Sequence, residues 1–144
     1  QMKKYKSFKV DKIIKHKFSK TITASDNSLF CLLTMNHHPI HIDKEFAKKT
    51  IFKKPLIVGT YIFSVVVGMT VNDLSFNAIA NLGYENIKHL KPVFIGDTLT
   101  ASSKIISIRK SKKNNRNHVI HVETTAKNQK NLNVLKFERH ILIK

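Results

Sequence analysis

Cysteine occurs once in the 144 residues, at Cys31, and tryptophan does not occur. A lone cysteine excludes an internal disulfide framework and every zinc site that needs two or more thiolates. It suits a reducing compartment, and a cytoplasmic location is expected. Glycine and proline are scarce, at four and three residues, and no Pro/Gly/Ser-rich linker or repeat divides the chain. Residues 2–144 are therefore expected to form one domain, with Gln1, ahead of Met2, left out of the fold reading. Acid is the other shortage: 9 Asp and Glu against 26 Lys and Arg leave a formal charge of +17. Only three of those cations are arginine, at positions 109, 116 and 139. Specific readers of nucleic acid lean on the forked guanidinium, which lysine cannot supply, so no sequence-specific nucleic-acid partner is expected. The many Lys, Asn and Ile residues share A/T-rich codons. A positive field of this kind also steers anionic small molecules.

What is present is ordinary for a folded protein, with 42% hydrophobic and 24% charged residues, which argues against disorder. The N-terminal stretch is basic but has no uninterrupted apolar core, so no signal peptide is expected. Pro55 to Asn72 carries no charge and reaches about the 18-residue minimum of a spanning helix. Its Gly59, Ser64, Gly68 and Asn72 keep it only modestly hydrophobic, and the expectation is a buried core helix over about Gly59–Val71, with no membrane span. Upstream, Ser25-Asp26-Asn27 supplies cap chemistry ahead of an apolar-periodic helix containing Leu29, Phe30, Leu32 and Leu33. Pro39 predicts an irregular segment from Met35 to Ile42, and a short helix follows over Asp43–Lys49, capped by Asp43. In the second half, Ala80–Leu90, Thr98–Ile108, Val119–Ala126 and Leu132–Ile143 alternate with β-branched residues as strands do. Lys110 to His118 reads as the solvated tip of a hairpin. Helices in the first half and antiparallel strands in the second predict an α+β domain.

The dense chemical feature is Met35-Asn36-His37-His38-Pro39-Ile40-His41-Ile42-Asp43, followed by Lys54-Pro55-Leu56-Ile57-Val58-Gly59. One reading makes His37, His38, His41 and Asp43 metal ligands. Adjacent His37 and His38 point in different directions on most backbones, and no remote ligand obviously completes the set. A second reading places a general acid/base histidine beside Gly59 at a helix N-terminus, whose N–H would meet a developing oxyanion. A third leaves these histidines as polar loop residues, with Gly59 merely starting a helix. Residue types alone do not separate the readings.

The order of these pieces resembles the MaoC-like hydratases of the hotdog fold, which include the (R)-specific enoyl-CoA hydratases. Asn36-His37-His38-Pro39-Ile40-His41-Ile42-Asp43 stands where that family has Asp-x-Asn-Pro-x-His-x-Asp. Phe46-Ala47 and Pro55 to Gly59 follow in family order, and Pro92-Val93-Phe94-Ile95-Gly96-Asp97-Thr98-Leu99 resembles its Pro-Val-Phe-x-Gly-Asp-Thr-Leu turn. Thr21-Ile22-Thr23-Ala24-Ser25-Asp26 resembles its entry to the first helix. Within the family the chain looks most like the mesaconyl-CoA hydratase (2-methylmalyl-CoA dehydratase) branch. The resemblance implies a long helix wrapped by an antiparallel sheet, and addition of water to, or its removal from, an enoyl thioester without metal or other cofactor. It also implies an acyl-CoA or acyl carrier protein thioester as substrate. Family members are often two fused units, so a chain of this length implies a homodimer.

Carried over residue by residue, the resemblance implies His41, Asn36 and Gly59 as catalytic positions, with Pro39 and Val58 beside the substrate. Asn36 departs from the family's acid, and an amide cannot take a proton at neutral pH. His38 also replaces the motif's Asn. The implied division of labour gives proton transfer to His41, water orientation to Asn36 and the enolate oxygen to the Gly59 N–H. A thioesterase on the same fold would want a carboxylate on the central helix, and Gly59 to Val71 has none. A protein that binds acyl thioesters without hydrating them is the remaining alternative.

Overall fold

The computed structural model describes residues 7–144, and the expectations for residues 1–6 lie outside the described residues. Among the described residues the chain runs β1 (Ile13–Lys15), β2 (Lys20–Thr21), α1 (Ala24–Leu33), α2 (Pro39–Ile42), α3 (Lys44–Lys48) and α4 (Gly59–Thr70). A π-helical turn, Val71–Ser75, extends α4 before β3 (Ala80–His89), β4 (Thr98–Lys110), β5 (His118–Lys127) and β6 (Asn133–Ile143). The sheet order is β1-β4-β5-β6-β3, with β2 also paired to β4, and the pairings are antiparallel. The four long strands lie where alternation placed them, within a few residues at each end.

Alternate residues of β4, β5 and β6 face α4. Ile62, Val66 and Met69 of the helix pack with Leu99, Ala101, Ala126, Leu135 and Phe137 of the sheet. Leu74 in the π-helical turn packs with Ile105, Ile120, Val122, Ile141 and Ile143. A nearly uncharged helix wrapped by one antiparallel sheet is the hotdog arrangement, and the fold class is α+β. The buried Arg139 fastens the far end of the helix, donating to Thr70 Oγ1 at 3.0 Å, Ser75 Oγ at 2.9 Å and Asn81 Oδ1 at 2.7 Å. Burial among neutral acceptors holds its guanidinium pKa below the ordinary value.

Three local expectations are corrected. The cap of α1 is Thr23 rather than the Ser25-Asp26-Asn27 group: Thr23 Oγ1 accepts from Asp26 N, and Asp26 Oδ2 accepts from Thr23 N, which closes a capping box. The helix buries Asn27 and Cys31, whereas Leu29, Leu32 and Leu33 are 57%, 66% and 73% exposed. Polar bonds made by Asn27, described below, choose the inward face. Met35 to His38 is irregular as expected, but Pro39 to Ile42 is not: Pro39 begins α2, where its missing N–H costs no helical bond, and His38 Nδ1 caps the turn by accepting from Ile40 N.

The capping box gives a stability prediction. Thr23→Ala should cost about 1 kcal/mol, the usual worth of such a cap, read as a lower thermal midpoint. The Lys20 ammonium bonded to Asp26, and next the Thr23 N–H, hold the Asp26 carboxyl below its ordinary range. A folded-state pKa that is depressed adds stability above the unfolded value and loses it as pH falls through the folded one. The difference between wild type and Asp26→Asn should therefore shrink on acidification below the ordinary carboxylate range.

Candidate active site

The site is assembled by the segment Pro55 to Val58, which runs between the histidine loop and the turn ahead of β4. Gly96 holds that turn with φ +91°, and Asp97 Oδ2 accepts from Phe94 N at 2.9 Å. The turn latches the segment through Ile57 N to Val93 O at 3.0 Å. On the other side Leu56 N donates to Ile40 O at 3.1 Å, which ties the segment to α2. The conspicuous turn motif is thus structural support for the loop that carries the histidines.

Asn27 completes the clamp from α1. It is 1% exposed; its Nδ2 donates to His41 O at 3.0 Å and Leu56 O at 3.3 Å, and its Oδ1 accepts from Val58 N at 3.0 Å. The imidazole of His41 is fixed by the same segment, with Nδ1 2.7 Å from Leu56 O. A carbonyl only accepts, so Nδ1 carries a proton. In the neutral ring Nε2 then keeps its lone pair, the form a general base needs.

His41 and Gly59 line one cleft of about 360 Å³, a volume suited to a small-molecule group. Its other walls are largely apolar, including Phe52, Leu56, Ile62, Leu90 and Val93, with Lys91 and His89 adding polarity. Gly59 is the first residue of α4, and Val58 offers no side-chain cap to the helix N-terminus. The first intrahelical acceptor, Val58 O, takes the Ile62 N–H at 3.1 Å, so the Gly59 amide precedes the helical ladder. The positive end of the helix dipole lies at the same place. Gly59 has no positive φ, and a side chain there would push the exposed His89 ring aside. A Cβ there would stand 2.9 Å from Nε2 of His89.

Residues 7–130 match the MaoC like domain. The chain belongs to this family. It is 32% identical to mesaconyl-CoA hydratase from Cereibacter sphaeroides over 97% of its own length and 40% of the relative's. It thus spans two fifths of that relative. It is 30% identical to the (R)-specific enoyl-CoA hydratase from Aeromonas caviae, covering 68% of this chain and 72% of that one. A solved structure of a monoamine oxidase regulatory protein from Archaeoglobus fulgius superposes with a TM-score of 0.87 at 33% identity, covering 97% of this chain and 93% of the other.

In this MaoC-like chain, His41 and Gly59 of the five singled-out residues line the cleft. Asn36, Pro39 and Val58 do not. Asn36 is half-buried, with Oδ1 3.4 Å from the His38 N–H; Pro39 opens α2; Val58 is buried as the residue ahead of α4. Of the four residues of the metal reading, three have one side-chain atom engaged, His38 Nδ1 with Ile40 N, His41 Nδ1 with Leu56 O and Asp43 Oδ1 with Phe46 N, and the four are not gathered into a candidate metal cluster among the described residues. Sequence reasoning missed His89 as a wall of the cleft and Asn27 as its clamp. Asn27 had been read as cap chemistry, and the bonds that reveal it span 14 to 31 residues.

A second histidine constellation has the contacts of a Ser–His–Asp triad. His16 Nδ1 lies 2.9 Å from Asp73 Oδ2, and Nε2 lies 2.7 Å from Ser103 Oγ. Ser103 is 1% exposed and also bonds Thr124 Oγ1 at 2.7 Å. A nucleophile shut away in this manner cannot reach a substrate, so the constellation joins the end of the central helix to the sheet.

Proposed function

We propose that this chain, over residues 2–144, acts as one hotdog unit that adds water to, or removes it from, an enoyl thioester. The observation that carries the reading is the pairing of His41, its Nδ1 bound to a carbonyl, with the Gly59 amide on one apolar cleft. The names of the relatives supply the class of reaction.

In the hydration direction His41 Nε2 takes a proton from water as the water oxygen bonds to the β-carbon. The C=C electron pair moves through the α-carbon onto the thioester oxygen, which the Gly59 N–H and the dipole of α4 stabilise. The imidazolium then returns its proton to the α-carbon, so hydrogen, charge and electrons balance. Asn36 stands outside the walls of the cleft in the free protein, and its proposed part is to turn its amide N–H towards the water oxygen when substrate is bound. Pro39 and Val58 shape the acyl site through the backbone of their segments. Lys91 on the cleft and the +17 charge suit an anionic carrier, CoA or acyl carrier protein. The proposed chemistry uses a side chain, an amide and water, and needs no metal or other cofactor. The cytoplasm is the proposed location, on the ground of the single cysteine. No helix among the described residues is long and apolar enough to cross a membrane.

The proposal is tested by loss of enoyl thioester absorbance on incubation with crotonyl-CoA and with mesaconyl-CoA. Loss that depends on active protein is expected; unchanged absorbance with both would contradict it.

The proposed assembly is a homodimer. β3 ends the sheet order and exposes Leu82, Tyr84 and Ile87, and α1 leaves its three leucines uncovered. Pairing such an edge with a second copy removes it. Light scattering at micromolar concentration should give twice the chain mass, and a stable monomer would refute the dimer.

A further inference from the structure

On the face of the sheet turned away from α4, four side chains meet that the hydration reading does not use. His121 of β5 and His140 of β6 are directly opposite in register, and Glu85 of β3 is opposite Glu138 of β6. The two imidazoles stack with centroids 4.3 Å apart and planes 21° apart, and Glu85 lies against the edges of both. His140 Nε2 lies 2.6 Å from Glu85 Oε1; His121 Nε2 lies 2.6 Å from Glu138 Oε2 and 3.6 Å from Glu85 Oε1.

We propose that Glu85, His121, His140 and Glu138 bind one divalent cation of the zinc class on the outer face of the sheet.

Three observations support this. First, like charges directly opposite on neighbouring strands repel, so the Glu85–Glu138 pair calls for a cation between its members. The chain has 26 Lys and Arg, yet among the described residues the ion pairs of both carboxylates are with imidazoles, while Lys136 pairs with Glu123. An imidazole nitrogen is also a good metal ligand. Second, one donor atom each from Glu85, His121 and His140 lie within 4.8 Å of one another. Zinc bonds of about 2.1 Å at tetrahedral angles place donors about 3.4 Å apart. The contacts at 2.6 and 3.6 Å bracket that spacing, and half-exposed side chains can widen the shorter ones as the ion enters and the ring protons pass from Nε2 to Nδ1.

Third, the backbone is irregular where an outer ligand is needed. The β3–β6 register shifts between Glu85 and Lys88, and Asn86 takes a positive φ of 53°. Its Nδ2 donates to Glu138 Oε1 at 3.0 Å, which orients that carboxylate and leaves Oε2 for the ion. Two imidazole nitrogens with carboxylate oxygens favour zinc, nickel or copper over magnesium or calcium.

The test is calorimetric titration of tag-free, metal-stripped protein with zinc chloride, and with magnesium chloride for comparison. One zinc per chain is expected, bound through Nε2 of each ring while the ring proton sits on Nδ1. His121→Ala/His140→Ala should weaken binding by about 100-fold or more, and Asn86→Ala by about 10–100-fold, the usual effect of losing an outer partner. His37→Ala/His38→Ala should leave the affinity unchanged, which separates this site from the histidine-rich loop. Should the double His121 variant fail to fold, Glu85→Gln/Glu138→Gln carries the same expectation of about 100-fold weaker binding. Absence of saturable binding up to millimolar zinc, or equal binding of magnesium, would overturn the proposal. So would zinc affinity that survives loss of both histidines or is lost with His37 and His38.

Discussion

His41→Ala is expected to lower the rate of thioester hydration by about 10²–10⁴-fold, the usual worth of a positioned general base. The substitution deletes Nε2 and also the Nδ1 bond to Leu56 O, a carbonyl that Asn27 continues to satisfy. His41 is only half-buried and contributes no apolar side chain to the core, so the thermal midpoint should move little. A fall in kcat with a nearly unchanged KM is the signature of an interaction made in the transition state. Asn36→Asp provides the paired test. It restores the carboxylate of the family motif while replacing an N–H donor with an acceptor, and a loss of rate is expected if the amide N–H orients the water. If both variants turn over at the wild-type rate, the chemistry lies elsewhere.

The second large effect is expected from Asn27, which never touches the cleft. Asn27→Ala would strip a buried N–H at Val58 of its acceptor and two carbonyls, His41 O and Leu56 O, of a donor. A buried polar group left without a partner costs about 1–3 kcal/mol. The Val58 N–H alone carries that penalty, and the loosened carbonyls and lost volume bring the expectation to about 2–4 kcal/mol. Asn27→Asp keeps the shape and the Val58 bond but turns a carboxylate oxygen towards the two carbonyl oxygens, so it should destabilise at least as much. In both variants the backbone that fixes the His41 ring loses its tether, and kcat should fall more than KM rises. Chemical denaturation paired with steady-state kinetics reads both effects; an unchanged midpoint would mean that the clamp is not needed.

Much of the fold was legible because its signals are local. The alternation in Thr98–Lys110 and Asn133–Ile143 follows from one face of each strand meeting α4. The absence of charge in Gly59–Thr70 reflects a helix wrapped by the sheet. Helix α1 shows where such signals end. The spacing of Leu29, Phe30, Leu32 and Leu33 announces a helix, but periodicity does not say whether the apolar face meets this chain's core. Asn27, which reads locally as cap chemistry, decides the inward face by bonding to groups far along the chain. Pro39 was read as a breaker because the rule against interior proline is strong, yet the same ring is well placed at the first position of a helix. His41 and Gly59 stand out in the sequence because both sit in a motif, whereas His89, on the same cleft, is a single histidine at the end of a strand. Its closeness to Gly59 exists only once β3 folds beside α4. The Glu85, His121, His140 and Glu138 cluster was equally invisible, because it depends on the register of three strands separated by long stretches of chain.

The most direct test of the central claim is incubation of the wild-type protein with crotonyl-CoA in ¹⁸O-labelled water, followed by mass analysis of the products. The account predicts an intact thioester heavier by one labelled water, with the label in a hydroxyl on the β-carbon. Release of free acid labelled in its carboxylate would identify a thioesterase instead, and unlabelled starting material would identify a binding protein; either result would contradict the account.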